Sequence, residues 1–88
     1  MRVERVLVTG GSGFIGTNLV QSYFKSGTPV LSVDTRPPRQ PAHRAVWQRV
    51  DCSDSNAMRS VIDEFEPTHI VHLAARTDLQ GSRTQTIT

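Results

Sequence analysis

The sequence predicts an α/β fold in which a parallel sheet carries helices on both faces. Strand-like and helix-like apolar patterns alternate along the chain, which is typical of strands joined by crossover helices. Val6, Leu7 and Val8 are consecutive apolar residues, a pattern typical of a strand covered on both sides. Right-handed crossovers would arrange about four parallel strands in the order 3-2-1-4, with one of the two helices on each face. This is the opening half of a doubly wound sheet.

The first strand is predicted at residues 5–10 and the first helix at 14–26. Apolar residues recur at helical spacing and predict one apolar stripe, made of Ile15, Leu19 and Tyr23 with Val20 and Phe24 beside them. Gly27 is expected to end the helix, because glycine adopts a left-handed conformation at low cost.

The second strand is predicted at residues 29–34 and the third at 45–51, where alternating side chains indicate a position nearer a sheet edge. Between them, residues 35–44 contain three prolines. Proline fixes φ and lacks a backbone donor, so we expect a loop there without helix or strand.

The second helix is predicted within residues 53–67 and the fourth strand at 68–75. The helix has an apolar stripe formed by Met58, Val61, Ile62 and Phe65, a start that Ser53, Asp54 or Ser55 can cap, and Pro67 just past its end. Residues 76–88 are polar and show no sustained period, so no element is predicted there. The outer edge of the fourth strand is therefore expected to be unpaired.

Composition limits the class of protein. A chain of 88 residues with 36% hydrophobic and 20% charged residues predicts one globular unit. A net charge of +2 argues against nucleic-acid binding. One cysteine, Cys52, allows no internal disulfide, and no apolar run approaches the roughly 18 residues of a membrane helix. The amino-terminal apolar stretch contains charged residues, whereas the apolar region of a signal peptide contains none. We therefore expect a cytoplasmic location and no membrane partner.

The strongest motif is "TGGSGFIG" at residues 9–16, between the first strand and the first helix. It fits G-x-G-x-x-G from Gly11 and G-x-x-G-x-x-G from Gly10, and both spellings occur at dinucleotide sites. In the second spelling Gly10 allows a tight turn, Gly13 lets a phosphate approach the backbone, and Gly16 lets the helix pack closely. Backbone N–H groups near Phe14 and Ile15 can then point at a pyrophosphate.

Asp34 ends the second strand, 18 residues beyond Gly16, where a carboxylate can bind the ribose hydroxyls of a dinucleotide. Its other interpretation is a residue that ends a strand and begins a turn. Arg36 is either an exposed loop arginine or a partner for a 2′-phosphate. Because Asp34 would repel that phosphate, NAD is favoured over NADP.

Other candidate groups give weaker signals. Thr17 and Asn18 follow the last glycine, so the Lys-Ser/Thr ending of a phosphate-binding P-loop is missing. His69 and His72 are three apart on a strand and face opposite sides, so no metal site is predicted. Ser12 either touches phosphate or only favours the turn.

With the glycine loop, Asp34 and "HLAA" at residues 72–75, the chain resembles the NAD-dependent epimerase/dehydratase family, extended short-chain dehydrogenases/reductases with a Rossmann fold. The resemblance favours the Gly10 spelling and implies that Asp51 binds the adenine amino group with the backbone of Cys52 beside the ring. It also implies that Leu73, Ala74 and Ala75 let backbone approach the ribose and nicotinamide side. From the residues alone, Asp51 is equally a carboxylate at a helix entry.

The resemblance implies an NAD-binding part of an enzyme that moves hydride at a carbon of a nucleotide sugar. That family works with a Tyr-x-x-x-Lys pair, whereas Tyr23 is the one tyrosine here and Gly27 stands four residues after it. No catalytic residue is therefore predicted within 1–88, and we expect the catalytic segment and substrate domain to lie outside it. A non-catalytic NAD-sensing module and a non-functional truncation are the alternatives. No oligomeric state is predicted.

Overall fold

A computed structural model describes residues 3–74 and the backbone of residues 85–87. Its elements follow one another in the order β1 (Val6–Thr9), α1 (Phe14–Ser26), β2 (Val30–Asp34), a 3-10 helix (Pro41–Val46), β3 (Trp47–Arg49), α2 (Ser55–Phe65), β4 (His69–His72) and β5 (Gln85–Ile87). In this part of the chain neither α-helix combines the length and hydrophobicity that crossing a bilayer requires.

The strands form one parallel sheet in the order β3-β2-β1-β4-β5. Val6 pairs with Val30 of β2 on one side and with His69 of β4 on the other, which places β1 at the centre. The predicted order 3-2-1-4 is confirmed. The reversal of strand order between β1 and β4 creates the crevice in which doubly wound sheets bind their ligands.

Both faces of the sheet are covered, as the consecutive apolar residues of β1 predict. Successive side chains of a strand point to opposite faces. Val6 and Val8 therefore pack with Val20 of α1, whereas Leu7 packs with Met58 and Val61 of α2. The two apolar cores lie on opposite sides of one sheet.

Helix α1 ends at Gly27 as predicted, with φ of 77° in the left-handed region. Its predicted apolar stripe is partly wrong, because Ile15 is 66% exposed and Phe24 is 41% exposed. The buried side is centred on Gly16 and Val20 instead. Gly16 sets this orientation because the helix packs against the glycine loop at that point, where a Cβ would lie 2.3 Å from the carbonyl oxygen of Gly10.

Helix α2 has the predicted boundaries. The Asp54 side chain caps its start and accepts a hydrogen bond from the N–H of Ala57 (3.1 Å). Phe65 is the last residue of the helix, and the Cζ atom of Arg5 lies 4.4 Å from the centre of the Phe65 ring. Arg5 Nε also donates to the Phe65 carbonyl (2.9 Å). These contacts attach the end of α2 to the start of β1.

The predicted loop at 35–44 is wrong in its last part, since Pro41–Val46 forms the 3-10 helix and β3 begins only at Trp47. Pro41 stands at the first turn, where its fixed φ suits a helix and its missing donor costs nothing. His43 is buried in this helix, and its Nε2 donates to Gln21 Oε1 of α1 (2.7 Å). The prolines thus begin a helix in addition to interrupting regular structure.

The expectation of an unpaired outer edge on the fourth strand is also wrong. The backbone of Gln85–Ile87 forms β5, which pairs in parallel with β4 from His69 to Val71. Three residues are too few to show a period in the sequence. The hydrogen-bonding groups of β4 supply the pairing that local sequence does not specify.

Candidate functional site

A cleft of about 440 Å³ lies where β1, β2 and β4 end. The residues that line it are the last residue of β2 and residues of the connections after β1, β2, β3 and β4: Gly10, Gly13, Asp34, Thr35, Arg36, Val50, Asp51, Cys52, Ser53, Leu73 and Ala74. Eight of the predicted cofactor-binding residues are therefore brought together, namely Gly10, Gly13, Asp34, Arg36, Asp51, Cys52, Leu73 and Ala74.

The glycines of the loop have different surroundings. Gly10 has φ of +74°, and a Cβ there would lie 2.9 Å from the N of Ala74, so a side chain would force the ends of β1 and β4 apart. Gly16 is closed in by Gly10 and Gly11. At Gly13 the nearest atom to a Cβ is the Gly10 carbonyl oxygen at 3.5 Å, an ordinary contact. A side chain at Gly13 would therefore not collide with the rest of the protein, and its absence leaves open space in the cleft.

Asp34 is held by backbone donors. The N–H of Ser12 donates to Asp34 Oδ2 (3.1 Å), and the N–H of Arg36 donates to Oδ1 (3.0 Å). The carboxylate is nine-tenths buried yet lines the cleft, while the Arg36 side chain is 74% exposed with its Nε 4.0 Å from Oδ1. Each carboxylate oxygen keeps further lone pairs for a ligand hydroxyl.

Asp51 lines the cleft from the connection after β3, and its side chain is exposed. Its Oδ1 accepts from the Ser53 hydroxyl (2.7 Å) and the Ser53 N–H (2.9 Å), and these two bonds lower the pKa of the carboxyl below its ordinary value. The helix-entry position belongs to Asp54 and not to Asp51. Asp51 is therefore an ionised acceptor at the rim.

Cys52 is buried against the apolar core beneath the cleft. Burial raises the pKa of its thiol, and the negative charge of Asp34 raises it further. A thiol in this environment is protonated near neutral pH and is a poor nucleophile. Cys52 therefore packs in the core and also lines the cleft.

Thr9 ends β1 and begins the glycine motif, but the sequence predicted no role for its side chain. Its fully buried hydroxyl accepts from the N–H groups of Leu73 (3.1 Å) and Ala74 (3.3 Å) and donates to the Val71 carbonyl (3.4 Å). It thereby holds the chain that leaves β4 against the end of β1. A β-branched residue ending a buried strand gave no signal of this role.

Three of the predicted residues that the structure describes, Phe14, Ile15 and Gly16, do not line the cleft. Phe14 and Ile15 have exposed side chains. Their backbone N–H groups belong to the first turn of α1, where N–H groups have no hydrogen-bond acceptor within the helix. Gly16 lies behind the loop, and Ala75 lies outside the described residues. Thr35, Val50 and Ser53 line the cleft and were not predicted, although each is adjacent in sequence to a residue that was.

The two histidines of β4 belong to no metal-binding group among the described side chains. Within residues 3–74, no group of three histidine, cysteine, aspartate or glutamate side chains is placed to hold a metal ion. His69 Nδ1 contacts the Thr68 hydroxyl (2.9 Å) at the opposite end of the sheet from the cleft, and burial lowers the pKa of His72. Neither side chain lines the cleft.

Comparison with known proteins gives a consistent result. A model of the NAD-dependent epimerase/dehydratase family matches residues 6–87. The chain is 40% identical to a 3-beta-hydroxysteroid dehydrogenase of Mycolicibacterium neoaurum, over 93% of this chain and 22% of that protein. It is 33% identical to a probable dTDP-glucose 4,6-dehydratase of Sinorhizobium fredii, over 91% of this chain and 25% of that protein.

Among solved structures, the UDP-glucose 4-epimerase of Thermus thermophilus in complex with NAD is similar with a TM-score of 0.70. The two are 36% identical, over 89% of this chain and 26% of the epimerase. The Rossmann fold expected from the sequence is therefore confirmed. The chain spans about a quarter of the length of the curated relatives that it matches.

Proposed function

Because this chain belongs to the NAD-dependent epimerase/dehydratase family, we propose that its cleft binds NAD for hydride transfer at a carbon of a nucleotide sugar. In this proposal residues 1–88 bind and orient the cofactor. The groups that move protons and bind the sugar belong to the portion that the longer relatives have in addition.

The space at Gly13 is the observation that carries the proposal. Gly10 and Gly16 are explained by packing, since a Cβ at either position would collide with backbone. Gly13 has no such explanation, because its φ of −76° and ψ of 179° suit any residue and its Cβ position is open. A glycine that lines a cleft beside the first turn of a helix leaves room for a pyrophosphate to approach the N–H groups of that turn.

The charges in the cleft support NAD over NADP. The buried Asp34 carboxylate is suited to accept hydrogen bonds from the ribose hydroxyls, and its charge opposes a 2′-phosphate at the same place. Asp51, on the rim, would accept from the adenine amino group. Thr9 would hold the Leu73–Ala74 backbone in position on the nicotinamide side.

When bound, NAD supplies a hydride acceptor. The nucleotide sugar is favoured as substrate by the dehydratase of S. fredii and the epimerase of T. thermophilus, whose names state such substrates. The relative from M. neoaurum is named for a steroid, so membership of the family does not by itself define the substrate.

Isothermal titration calorimetry tests the proposal by comparing the affinity for NAD of the parent chain with that of Gly13→Val. The extended backbone of Gly13 accepts valine without strain, so we expect a folded variant that binds NAD at least about tenfold more weakly than the parent chain. Ser22→Val introduces the same branched side chain at an exposed position of α1 outside the cleft and is expected to bind NAD normally. Equal affinity of the parent and Gly13→Val, at matched unfolding temperatures, would contradict the proposal.

A further inference from the structure

Ser12 lies in the glycine loop and is almost completely buried, with 4% of its surface exposed. Its backbone N–H donates to Asp34 Oδ2, and its hydroxyl donates to the carbonyl oxygen of Arg36 (2.7 Å). The N–H of Arg36 in turn donates to Asp34 Oδ1. Three hydrogen bonds thus close a ring through Ser12, Asp34 and Arg36, which we call the Ser12 ring.

The ring joins two parts of the cleft that are 22 residues apart in sequence. Ser12 belongs to the loop at the end of β1, whereas Asp34 ends β2 and Arg36 begins the connection that follows. Each oxygen of the Asp34 carboxylate accepts a hydrogen bond from one backbone N–H, and the two bonds together fix the orientation of the carboxylate. The Ser12 hydroxyl is the one side-chain donor in the ring and holds the Arg36 backbone in place.

We propose that Ser12 is a positioning residue for recognition of the cofactor ribose. Its hydroxyl fixes the Asp34–Arg36 turn and thereby aims the Asp34 carboxylate at the ribose 2′-hydroxyl. This inference rests on the proposed function and adds to it a residue that governs selectivity for the ribose. The Ser12 hydroxyl does not serve as a phosphate ligand here, because its proton is donated to the Arg36 carbonyl.

Removal of the hydroxyl has a defined physical consequence. In Ser12→Ala the Arg36 carbonyl loses its bond from the Ser12 hydroxyl, and the turn loses one of the two hydrogen bonds that link it to Ser12 of the glycine loop. The Ser12 N–H and the first turn of α1 are unchanged by this substitution. Contacts with the pyrophosphate therefore persist, whereas the hydrogen bond between Asp34 and the 2′-hydroxyl weakens.

Binding of ADP and of 2′-deoxy-ADP to the full chain separates these effects. Both ligands carry the diphosphate and adenine, and only ADP carries the 2′-hydroxyl. We expect the parent chain to prefer ADP roughly tenfold or more, as for a hydrogen bond to a charged group. In Ser12→Ala this preference should fall by roughly three- to tenfold, toward that of Asp34→Ala. Ser26→Ala is the matched control, because that hydroxyl also donates to a backbone carbonyl, of Tyr23 (3.0 Å), outside the cleft.

If Ser12 only supported the fold, a loosened loop would weaken the binding of ADP and of 2′-deoxy-ADP equally. The ratio of the two affinities would then not change. An unchanged ratio in Ser12→Ala, with or without an equal loss for both ligands, would overturn the inference. If the parent chain binds neither ADP nor NAD, the proposed function itself fails.

A measurement without ligand tests the ring directly. Amide hydrogen exchange at Arg36, whose N–H donates to Asp34, is expected to be faster in Ser12→Ala than in the parent chain and unchanged in Ser26→Ala. Unchanged protection of the Arg36 amide in Ser12→Ala would show that the hydroxyl does not hold the turn and would overturn the inference.

Discussion

Gly10, Gly13 and Gly16 belong to one motif, but the fold requires a glycine at Gly10 and Gly16 and does not require one at Gly13. The positive φ of Gly10 turns the chain out of β1, and its missing side chain lets the chain after β4 approach. Gly16 brings α1 into contact with the loop. Gly13 has neither a positive φ nor a close contact at its Cβ position, so this position can be changed without a collision inside the protein.

Stability measurements should separate these positions. In Gly16→Ala the new Cβ would lie 2.3 Å from the Gly10 carbonyl oxygen, so the helix must move away from the loop. We expect a loss of about 3 kcal/mol or more in the free energy of unfolding, at the upper end for overpacking. Gly13→Ala should cost less than about 1 kcal/mol, the difference between glycine and alanine at a helix N-cap. Urea denaturation measures both, and equal losses would show that Gly13 also has a packing role.

At the scale of elements, the 3-10 helix is attached to α1 through one buried histidine. His43 Nε2 donates to Gln21 Oε1, and the ring lies 5.8 Å from that of Phe24. Its Nδ1 is buried and has no hydrogen-bond partner among the described residues. Protonation would place a second donor at Nδ1 without an acceptor, which agrees with the lowering of the His43 pKa by burial.

The lowered pKa predicts that acid destabilises this attachment. The histidine of the unfolded chain takes up a proton near pH 6.5, whereas the native histidine resists protonation until a lower pH. The free energy of unfolding should therefore fall as the pH drops below about 6.5 and level off below the pKa of native His43. This histidine contributes at most about 1.4 kcal/mol per pH unit.

Urea denaturation at several pH values tests this expectation. His43→Gln should show a smaller dependence on pH than the parent chain, with a remainder from His72, whose pKa burial also lowers. An identical dependence in His43→Gln and the parent chain would show that the histidine titrates alike in both states.

The sequence predicted which strand ends meet at the cleft better than it predicted the packing of some elements. Gly13 follows β1 and Asp34 ends β2, and topology alone brings the ends of adjacent parallel strands together. The burial of Ile15 was predicted wrongly, because helical spacing locates an apolar stripe but not the close glycine contact that turns the helix. The roles of Thr9 and His43 depend on partners distant in sequence, which no local pattern records.

At the scale of the whole molecule, the cleft exists only when the sheet is assembled. Its lining runs from Gly10 to Ala74 and draws on the connections after four strands. The Ser12 ring joins β1 to β2, and Thr9 joins β1 to the chain after β4. A ligand in the cleft therefore contacts groups that unfolding would separate, so binding is coupled to the stability of the entire sheet.

This coupling predicts the effect of NAD on unfolding. A ligand that binds only the native state raises the free energy of unfolding by about 2.7 kcal/mol at a concentration one hundred times its Kd. Each further tenfold increase in concentration adds about 1.4 kcal/mol. We expect the midpoint of urea denaturation to rise accordingly, with the slope against urea unchanged because the same surface is exposed. Gly13→Val should show little increase at the same NAD concentrations, whereas Ser22→Val should behave as the parent chain does. A saturating titration without a rise in the midpoint would mean that NAD binds the unfolded chain equally well, and therefore not in a cleft that folding creates.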